Sequence, residues 1–465
     1  MGLSAGVEML YSVDMRRYGV RSTARRLPWL LVALAAFVVG LLSGGALVAK
    51  RPPAYCRLIS VVSAMRSGTR AAQPAPGRWR PASGPMAEAD LTEEQLREVE
   101  RLMTLGYAAG TVVAGETSGV TLHDTELASR GLNLVVSGHA PEAVLMDMNG
   151  RVLHTWRMSF EEVWPGRALP RDDENQHFWR RARVTPEGDL FAIFEGLGLI
   201  KLDRDSNLLW KYDGLCHHDL DLLDDGTILV LEREPALAPR FHDERPILED
   251  YVAVLTAEGE LVRRVSILAA LEDSHYEPLL VRVRKSGDIL HTNTIEVLDG
   301  SLEPDSPAFA RGNVLISILM LDTVAVLDLD EEKVVWALAG CWRQQHQPTM
   351  LPGGRMLVFD NEAGEGVSRS VELDPLSQEV LWSYEGSTAA PFYTPTCGSN
   401  QRLPNGNTLL TESDNGRAIE VTPGREIVWE FVSPYRAGDR GELVATLFEI
   451  VRLAPDFPLG WAQVD

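Results

Sequence analysis

Short runs of alternating apolar and polar residues recur from about residue 119 to the end of the chain, separated by turn residues. The stretch from Leu145 to Trp156 is one copy: an apolar strand, an Asn-Gly turn and a second strand that ends in tryptophan. Period-two alternation bounded by such turns is typical of short antiparallel strands. Matching copies end at Trp210, Trp336, Trp382 and Trp429, and a copy without tryptophan lies at 252–265, so six copies fit.

A second series consists of glycines in tight turns, each followed by a short β-rich run. Its members are Gly188, Gly226, Gly287, Gly354 and Gly406. A repeat of roughly 40–50 residues with four strands is typical of one blade of a propeller. We therefore predict an all-β protein with a six-bladed β-propeller over residues 119–465. A β-sandwich or two unrelated β-domains are the alternatives, and neither accounts for the matched tryptophan and glycine series.

Residues 27–49 contain no charged side chain and form a run long enough to cross a bilayer, which takes about 20 residues. Arginines precede the run, at Arg16, Arg17, Arg21, Arg25 and Arg26. The positive-inside rule places residues 1–26 in the cytoplasm and the propeller on the periplasmic, extracytoplasmic side. We predict a single-pass membrane anchor, with a cleaved signal peptide as the alternative.

Residues 50–118 are predicted to tether the propeller to this anchor. Residues 50–89 are rich in Pro, Arg, Ala, Ser and Gly, a composition typical of a flexible linker. Residues 91–105 combine acidic residues in the first turn with apolar residues at helical spacing. They predict one short amphipathic helix.

The composition narrows the range of partners. Hydrophobic residues make up 45% of the 465 residues and charged residues 24%, which are ordinary globular values, but the net charge is −22. Such a charge argues against a nucleic-acid partner, which requires a basic face. An anionic small molecule would have to be bound by local arginines and histidines.

The cysteines leave two possibilities open. Cys341 and Cys397 fall on loops of successive predicted blades, so a disulfide across the loop face is feasible. Cys216 stands beside His217 and His218, but no second Cys or His follows at the close spacing of known zinc sites. We expect no metal site there.

Histidines recur at one position of the repeat. His218 stands eight residues before Gly226, and His346 stands eight residues before Gly354. Residues at one register of a propeller converge around its axis, and imidazole can act as base, acid or nucleophile near neutral pH. The other blades have Arg180, Leu279 and Gly398 at this register.

A second series of polar residues stands six residues after the turn glycines. Its members are Glu232, Asn293, Asp360 and Glu412, and His291 stands two residues before Asn293.

At these residues the chain resembles the bacterial arylsulfotransferases, which move a sulfuryl group between phenolic compounds without a nucleotide donor. The resemblance extends roughly from Gly119 to Trp461. The stretches that carry it are 217–226, 291–297, 336–361 with the Gln345-His346 pair, 368–369, 401–407 and 427–431.

This resemblance implies a periplasmic propeller whose central funnel holds several histidines, one of them transiently sulfated. His346 matches the sulfated residue, and His218 and His291 match two supporting histidines. The partners implied are an aryl sulfate donor and a phenolic acceptor, and no cofactor or metal is required. We expect substrate contacts from His217, Asn293, Arg343 and Asn361.

The chain departs from the family pattern at one position. Relatives carry an arginine for the sulfuryl oxygens where Leu319 stands, and Arg343 is the predicted replacement. The loss leaves a second function open, that of a non-catalytic, membrane-tethered propeller acting as a binding or assembly module. A quinoprotein dehydrogenase is a further alternative, but it should show more blades and calcium-binding carboxylates.

Overall fold

The structure is a computed structural model that describes residues 112–113, 117–167, 174–437, 441 and 443–462. The predicted membrane span at 27–49 and the predicted helix at 91–105 lie outside these residues. Within the described residues, no helix is both long and apolar enough to cross a membrane.

The described part of the chain is built almost entirely of short strands. The first are β1 (Val112–Val113), β2 (Gly119–His123), β3 (Leu132–Ser137), β4 (Glu142–Met146), β5 (Val152–Arg157), β6 (Arg181–Val184), β7 (Leu190–Phe194), β8 (Gly198–Leu202) and β9 (Leu208–Tyr212). The next are β10 (Cys216–Leu222), β11 (Ile228–Ala236), β12 (Ile247–Leu255), β13 (Leu261–Ser266), β14 (Gly287–Asp288), β15 (Thr292–Val297), β16 (Val314–Ile318), β17 (Thr323–Asp328) and β18 (Lys333–Ala339).

The last strands complete the sequence of elements. They are β19 (His346–Leu351), β20 (Arg355–Gly364), β21 (Val367–Leu373), β22 (Val380–Tyr384), β23 (Ser399–Arg402), β24 (Thr408–Glu412), β25 (Arg417–Val421), β26 (Ile427–Val432), β27 (Arg436–Ala437), β28 (Leu443–Val444) and β29 (Leu447–Leu453). The helices are short: α1 (Phe160–Val163), α2 (Ile267–Glu272) and 3₁₀ turns at Glu174–His177, Glu277–Arg282, Pro307–Phe309 and Leu319–Leu321.

Six of the sheets in the described residues have the antiparallel core of a propeller blade. Blade 1 consists of β29, β3, β4 and β5; blade 2 of β6–β9; blade 3 of β10–β13; blade 4 of β15–β18; blade 5 of β19–β22; and blade 6 of β23–β26. The predicted all-β, six-bladed propeller is therefore confirmed. A separate small sheet contains β1, β27 and β28.

The ring is closed by strands from both ends of the described chain. β29 supplies the innermost strand of blade 1, where it pairs with β3. β2 adds an outermost strand to blade 6 by pairing with β26. Closure leaves blades 1 and 6 each completed by a distant part of the sequence, which reduces the unpaired strand edges exposed to solvent.

The repeated tryptophans explain how neighbouring blades are held in register. Each lies in the fourth strand of its blade, and in four blades the indole N–H donates to a turn carbonyl of the next blade around the ring. These bonds run from Trp156 to Gly188 (2.9 Å), from Trp210 to Ala257 (3.1 Å), from Trp382 to Pro423 (3.0 Å) and from Trp429 to Met148 (2.9 Å).

The core lies between neighbouring blades. All of β4 is buried, and one apolar cluster packs Leu231 of β11 and Ile267 of α2 against Ile316 of β16. Burial of apolar surface in this core stabilises the fold by roughly 25 cal/mol per Å². Because the apolar faces are used between blades, the innermost strands remain for polar residues that line the axis of the ring, here called the axial channel.

The structure corrects the predicted turn of blade 4. Gly287 lies in β14, which pairs parallel with β12, and residues 298–313 connect β15 to β16. The insertion of α2 and a 3₁₀ turn before blade 4 displaces the repeat along the sequence. Leu279 consequently lies in that 3₁₀ turn and Asn293 in an innermost strand, so neither has its predicted register.

The bridge between Cys341 and Cys397, which the sequence left open, is not formed. No disulfide joins cysteines among the described residues. Cys341 is exposed, whereas Cys397 is buried in the apolar cluster formed mainly by blades 1 and 2. The two side chains therefore occupy different environments.

Candidate functional site

Four polar residues meet where innermost strands of successive blades begin. Arg180 directly precedes β6, His218 lies in β10, His291 directly precedes β15, and His346 begins β19. The ring centroids of His218 and His291 are 4.9 Å apart. Those of His218 and His217 are 5.1 Å apart. We call His217, His218, His291 and His346 the histidine cluster.

The backbone is unusual at this end of the axial channel. His218 has φ 55°, His291 has φ 51° and Gln347 has φ 46°. Left-handed backbone in residues other than glycine is costly, about 1–3 kcal/mol each, and is concentrated at functional sites. The pairing register also shifts beside each of these residues, so the innermost strands bend where the imidazoles are presented.

Blade 6 has a glycine at this register for steric reasons. Gly398 has φ +91°, and a Cβ there would lie 2.6 Å from the ring of Phe359. Blade 6 therefore cannot place a side chain at this register, because the ring of Phe359 occupies the position.

The hydrogen bonds of His346 define its tautomer. Its Nδ1 lies 2.8 Å from Asn361 Oδ1 and 3.1 Å from Gln344 O. The Asn361 amide is oriented by Nδ2, which donates to Thr394 O (2.9 Å) and Cys397 O (2.7 Å). Since both neighbours of Nδ1 are acceptors, Nδ1 carries the hydrogen and Nε2 carries the lone pair.

The surroundings also keep His346 uncharged. Burial lowers the pKa of His346 to about 3, and the nearby Arg180 and His291 contribute in the same direction. The imidazole is therefore neutral at physiological pH. A neutral imidazole with an unprotonated Nε2 is the nucleophilic form.

His218 is held by the residues behind it. Its Nδ1 lies 2.8 Å from His217 Nδ1 and 3.5 Å from Glu195 Oε1. Burial, with Arg180 as the next contribution, holds the pKa of His218 well below its usual range. Burial and Arg233 do the same to the pKa of His217. Both imidazoles are neutral, and one donates its Nδ1–H to the other.

His291 forms a carboxylate–imidazole pair. Asp288 Oδ2 lies 2.7 Å from His291 Nδ1. Nearby, burial and the charge of Asp288 raise the pKa of Asp250 to about 7, and Asp250 accepts a 2.7 Å hydrogen bond from Thr292 N. An imidazole oriented by a carboxylate is suited to carrying protons in acid–base catalysis.

The predicted substrate-binding residues occupy different positions. Asn293 Nδ2 donates to Gln345 O at 2.9 Å, so this side chain fixes the backbone before His346. Asn361 and His217 likewise support catalytic candidates through the contacts given above. Arg343 is exposed, and its backbone N–H donates to Asp360. Direct contact of these four residues with substrate stays a prediction.

Position 319 adjoins the site through its backbone. Leu319 begins a 3₁₀ turn, and its N–H donates to His291 O at 3.3 Å. A side chain at this position is therefore close to the histidine cluster, and in this chain it is uncharged.

One residue deeper, the axial channel is crossed by ion pairs. Arg181 binds Asp219 (3.1 Å) and Glu449, and Arg183 binds the same two carboxylates at 3.2 and 2.6 Å. Arg181 also donates to His218 O and to Gln347 Oε1, both at 3.1 Å. We call Arg181, Arg183, Asp219 and Glu449 the ion-pair layer; its charges come from blades 1, 2 and 3.

Sequence reasoning missed the charged partners of the histidines. Asp288 stands three residues before His291. It was missed because the sequence placed a tight turn at the preceding residue, Gly287. Glu195 ends a hairpin strand without a distinctive motif. The position of Arg180 had a signal, because it precedes Gly188 by the same eight residues that separate His218 from Gly226.

Three potential metal ligands lie close together in the site. Ligand atoms of Glu195, His217 and His218 are all within 4.8 Å of one another. Arg233 and Arg180 lie 3.6 and 3.9 Å from the Glu195 carboxylate and would oppose a divalent cation there. We interpret the group as a hydrogen-bonded ion cluster, and the expectation of no metal stays a prediction.

Fold and site together define a six-bladed β-propeller with neutral histidines at one end of its axis. Residues 186–434 match the family described as Arylsulfotransferase (ASST), which is more than half of the 465-residue chain. The chain belongs to this family, as the motifs in the sequence indicate. Among curated proteins, none matches the chain.

Several solved structures are similar to this chain at low sequence identity. A protein of unknown function from Bacteroides caccae has 13% identity, covers 69% of this chain and 98% of its own, and gives a TM-score of 0.46. A streptogramin B lyase has 11% identity, coverage of 74% and 97%, and a TM-score of 0.40. The WD40 propeller domain of Doa1 has 13% identity, coverage of 74% and 96%, and a TM-score of 0.38.

Proposed function

We propose that this protein transfers a sulfuryl group from an aryl sulfate ester to a phenolic acceptor, with His346 as the covalent carrier. Membership of the arylsulfotransferase family supports the type of reaction. The observation that carries the role of His346 is its fixed tautomer: two acceptors hold the Nδ1–H and leave the Nε2 lone pair available.

In the first half-reaction, His346 Nε2 attacks the sulfur of the donor. The N–S bond forms as the bond from sulfur to the aryl oxygen breaks, and the leaving phenolate takes a proton from the His291–Asp288 pair. Attack makes the imidazole of His346 cationic. Asn361 Oδ1 and Gln344 O, which accept from its Nδ1–H, stabilise this charge.

In the second half-reaction, the acceptor phenol returns a proton to the His291–Asp288 pair and its oxygen attacks the same sulfur. The N–S bond breaks and neutral His346 is restored. Asp288, 2.7 Å from His291, stabilises the imidazolium while that residue holds the proton. Proton transfer of this kind contributes roughly 10²–10⁴-fold to a rate.

The test is incubation with 4-nitrophenyl sulfate, alone and with phenol. Wild-type protein should release 4-nitrophenol with phenol present and gain a sulfuryl group, detected by intact mass, with donor alone. His346→Asn should lose both. His291→Asn should retain slow transfer, and His275→Asn, an exposed histidine outside the cluster, should match the wild type. Sulfuryl labelling of His346→Asn would exclude His346 as the carrier.

We propose further that the propeller lies outside the cytoplasm, held by residues 27–49. The uncharged run and the preceding arginines support this placement. Protease added to intact spheroplasts should digest the propeller. Complete protection would contradict the topology.

A further inference from the structure

Arg180 occupies the position in blade 2 that His218 and His346 occupy in blades 3 and 5. Its backbone N–H donates to Ile193 O at 2.8 Å, which fixes it at the start of the innermost strand β6. The residue is only 3% exposed. A permanent charge is therefore buried at the end of the axial channel where the proposed chemistry takes place, and Glu195 contacts both it and His218.

The guanidinium of Arg180 is poorly satisfied by the protein. Its Nε has no hydrogen-bond partner among the described residues. Glu195 lies 3.9 Å away, which is an ion-pair contact beyond hydrogen-bonding distance, and the ring of Phe448 lies 5.0 Å from Cζ. Buried donors are normally paired, so an under-satisfied buried guanidinium indicates a missing acceptor.

The adjacent Arg181 provides a comparison, because its charge is already paired with two carboxylates. Arg181 is equally buried, but it contacts Asp219, Glu449, Gln347 and a backbone carbonyl. The carboxylate near Arg180, by contrast, is shared, because Arg233 lies 3.6 Å from the same Glu195. Arg180 has one shared carboxylate at 3.9 Å whereas Arg181 has two of its own, so the charge of Arg180 is the less compensated of the two.

The charge of Arg180 also reaches the reacting residues. It contributes to lowering the pKa of both His346 and His218. Geometry agrees with this, because Glu195 contacts both Arg180 (3.9 Å) and His218 (3.5 Å), and Arg180 shares the register of His346. An anion bound by the guanidinium would therefore lie at the same end of the axial channel as His346. The planar fork of arginine matches two oxygens of such an anion at once.

We propose that Arg180 binds the sulfonate oxygens of the group transferred at His346. Charge that accumulates on these oxygens as the sulfur changes partners would be stabilised by a cation fixed in place beforehand. The inference rests on the proposed function for the identity of the anion. The sequence predicted that Arg343, an exposed residue, supplies the cation. The proposal assigns this role to Arg180 in blade 2 instead.

Binding is tested first, without turnover. Inorganic sulfate is titrated calorimetrically into the full-length wild type, Arg180→Ala, Arg180→Lys and Arg204→Ala. Arg204, an exposed arginine in the outer hairpin of the same blade, is the matched control. Arg180→Ala should weaken sulfate binding about 10- to 100-fold, Arg180→Lys should weaken it less, and Arg204→Ala should leave it unchanged.

Catalysis is tested next with 4-nitrophenyl sulfate and phenol. Arg180→Ala should lower kcat/KM by roughly 10²–10³-fold, and millimolar guanidinium should restore part of this loss. Guanidinium should not change the activity of Arg204→Ala. A residue that only supported the fold would not be rescued in this way. A larger loss in Arg343→Ala than in Arg180→Ala would overturn the assignment.

The two proposals fail differently. Wild-type protein that binds sulfate through Arg180 but never releases 4-nitrophenol would remove the proposed function and leave the anion site. Wild-type protein that turns over, with a folded Arg180→Ala variant equal to it in sulfate affinity and kcat/KM, would remove the anion site alone. If Arg180→Ala does not melt cooperatively, sulfate binding is measured with Arg180→Lys instead. An unaltered sulfate affinity in that variant would overturn the proposal.

Discussion

The histidine cluster and the ion-pair layer are adjacent in sequence and opposite in character. On β10, His218 belongs to the histidine cluster and the next residue, Asp219, to the ion-pair layer. At the start of β6, Arg180 lies on the side of the cluster and Arg181 belongs to the ion-pair layer. In the ion-pair layer the protein supplies partners for its own charges. In the histidine cluster it fixes the Nδ1 edge of His346 and leaves His346 Nε2 without a partner among the described residues.

The difference shows how one strand can serve both stability and chemistry. Burial and Arg180 keep His218 and His346 neutral by lowering the pKa values of these two residues. In the ion-pair layer burial alone would raise the pKa of Glu449, but Arg181 and Arg183 outweigh it, so that the pKa of Glu449 is lowered and its charge retained. Substitutions in the layer should therefore affect folding, and those in the cluster should affect turnover.

The largest effect on stability is expected from Arg181→Met. The substitution leaves Asp219 and Glu449 buried with one fewer cation, and breaking a buried ion pair typically costs about 3–5 kcal/mol. Urea denaturation should show a loss of this size in the free energy of unfolding. Arg240→Met, which removes an exposed pair with Glu272, is the control and should cost about 0–1 kcal/mol. Equal losses in the two variants would erase the distinction between the layers.

A smaller effect should appear in acid and should come from the histidine cluster. The pKa of His346 is about 3 in the folded protein and near 6.5 when unfolded. Below pH 6.5 the unfolded chain therefore binds more protons, and the free energy of unfolding falls as the pH is lowered towards 3.

Removing this imidazole should make that dependence shallower. Between pH 6.5 and 5, the free energy of unfolding of His346→Asn should fall less steeply than that of the wild type, by up to about 1.4 kcal/mol per pH unit. Urea titrations at several pH values measure both slopes. Identical slopes would mean that His346 is not held neutral by its surroundings.

The smallest effect is expected deeper in the channel, at Glu296. Burial raises the pKa of Glu296 to about 8, and its carboxyl oxygens accept from Met350 N at 3.1 Å. The group is therefore neutral at pH 6, where Glu296→Gln should change the free energy of unfolding by less than about 1 kcal/mol.

The sign of this effect depends on pH. Because the folded pKa of Glu296 is raised, the wild type loses stability as the pH rises from about 4.3 through 8, and the amide variant does not. Urea denaturation at pH 6 and 9 should show that the free energy of unfolding of the variant, relative to that of the wild type, is higher at pH 9 than at pH 6. A variant that is less stable than the wild type at both pH values would indicate an ionised, paired Glu296.

Much of this arrangement could be predicted from local sequence patterns. The tryptophan series marked the fourth strands because four of its five indoles donate to a turn of the next blade, as Trp156 does to Gly188. The eight-residue spacing before the turn glycines located His218 and His346 because their hairpins are short. His291 was identified from the residues that follow it in the sequence, although the turn assigned to its blade was wrong.

The parts that could not be predicted depend on long-range contacts. Residues 298–313 replace the tight turn in blade 4, so counting from Gly287 gave a false register. The partners in the ion-pair layer are distant in sequence: Arg183 and Glu449 come from blades 2 and 1 and meet only when the ring closes. No local pattern in either strand indicates its partner.

Ring closure by β29 has a consequence for the order in which the site matures during synthesis. His218, His291 and His346 leave the ribosome about 100 residues or more before Leu447–Leu453, the strand that completes blade 1. That strand also carries Glu449 of the ion-pair layer and Phe448, which covers Arg180. A nascent chain therefore contains every histidine of the site before it contains the strand that completes the ring. The site can assemble only when β29, the last strand of the described residues, has been translated.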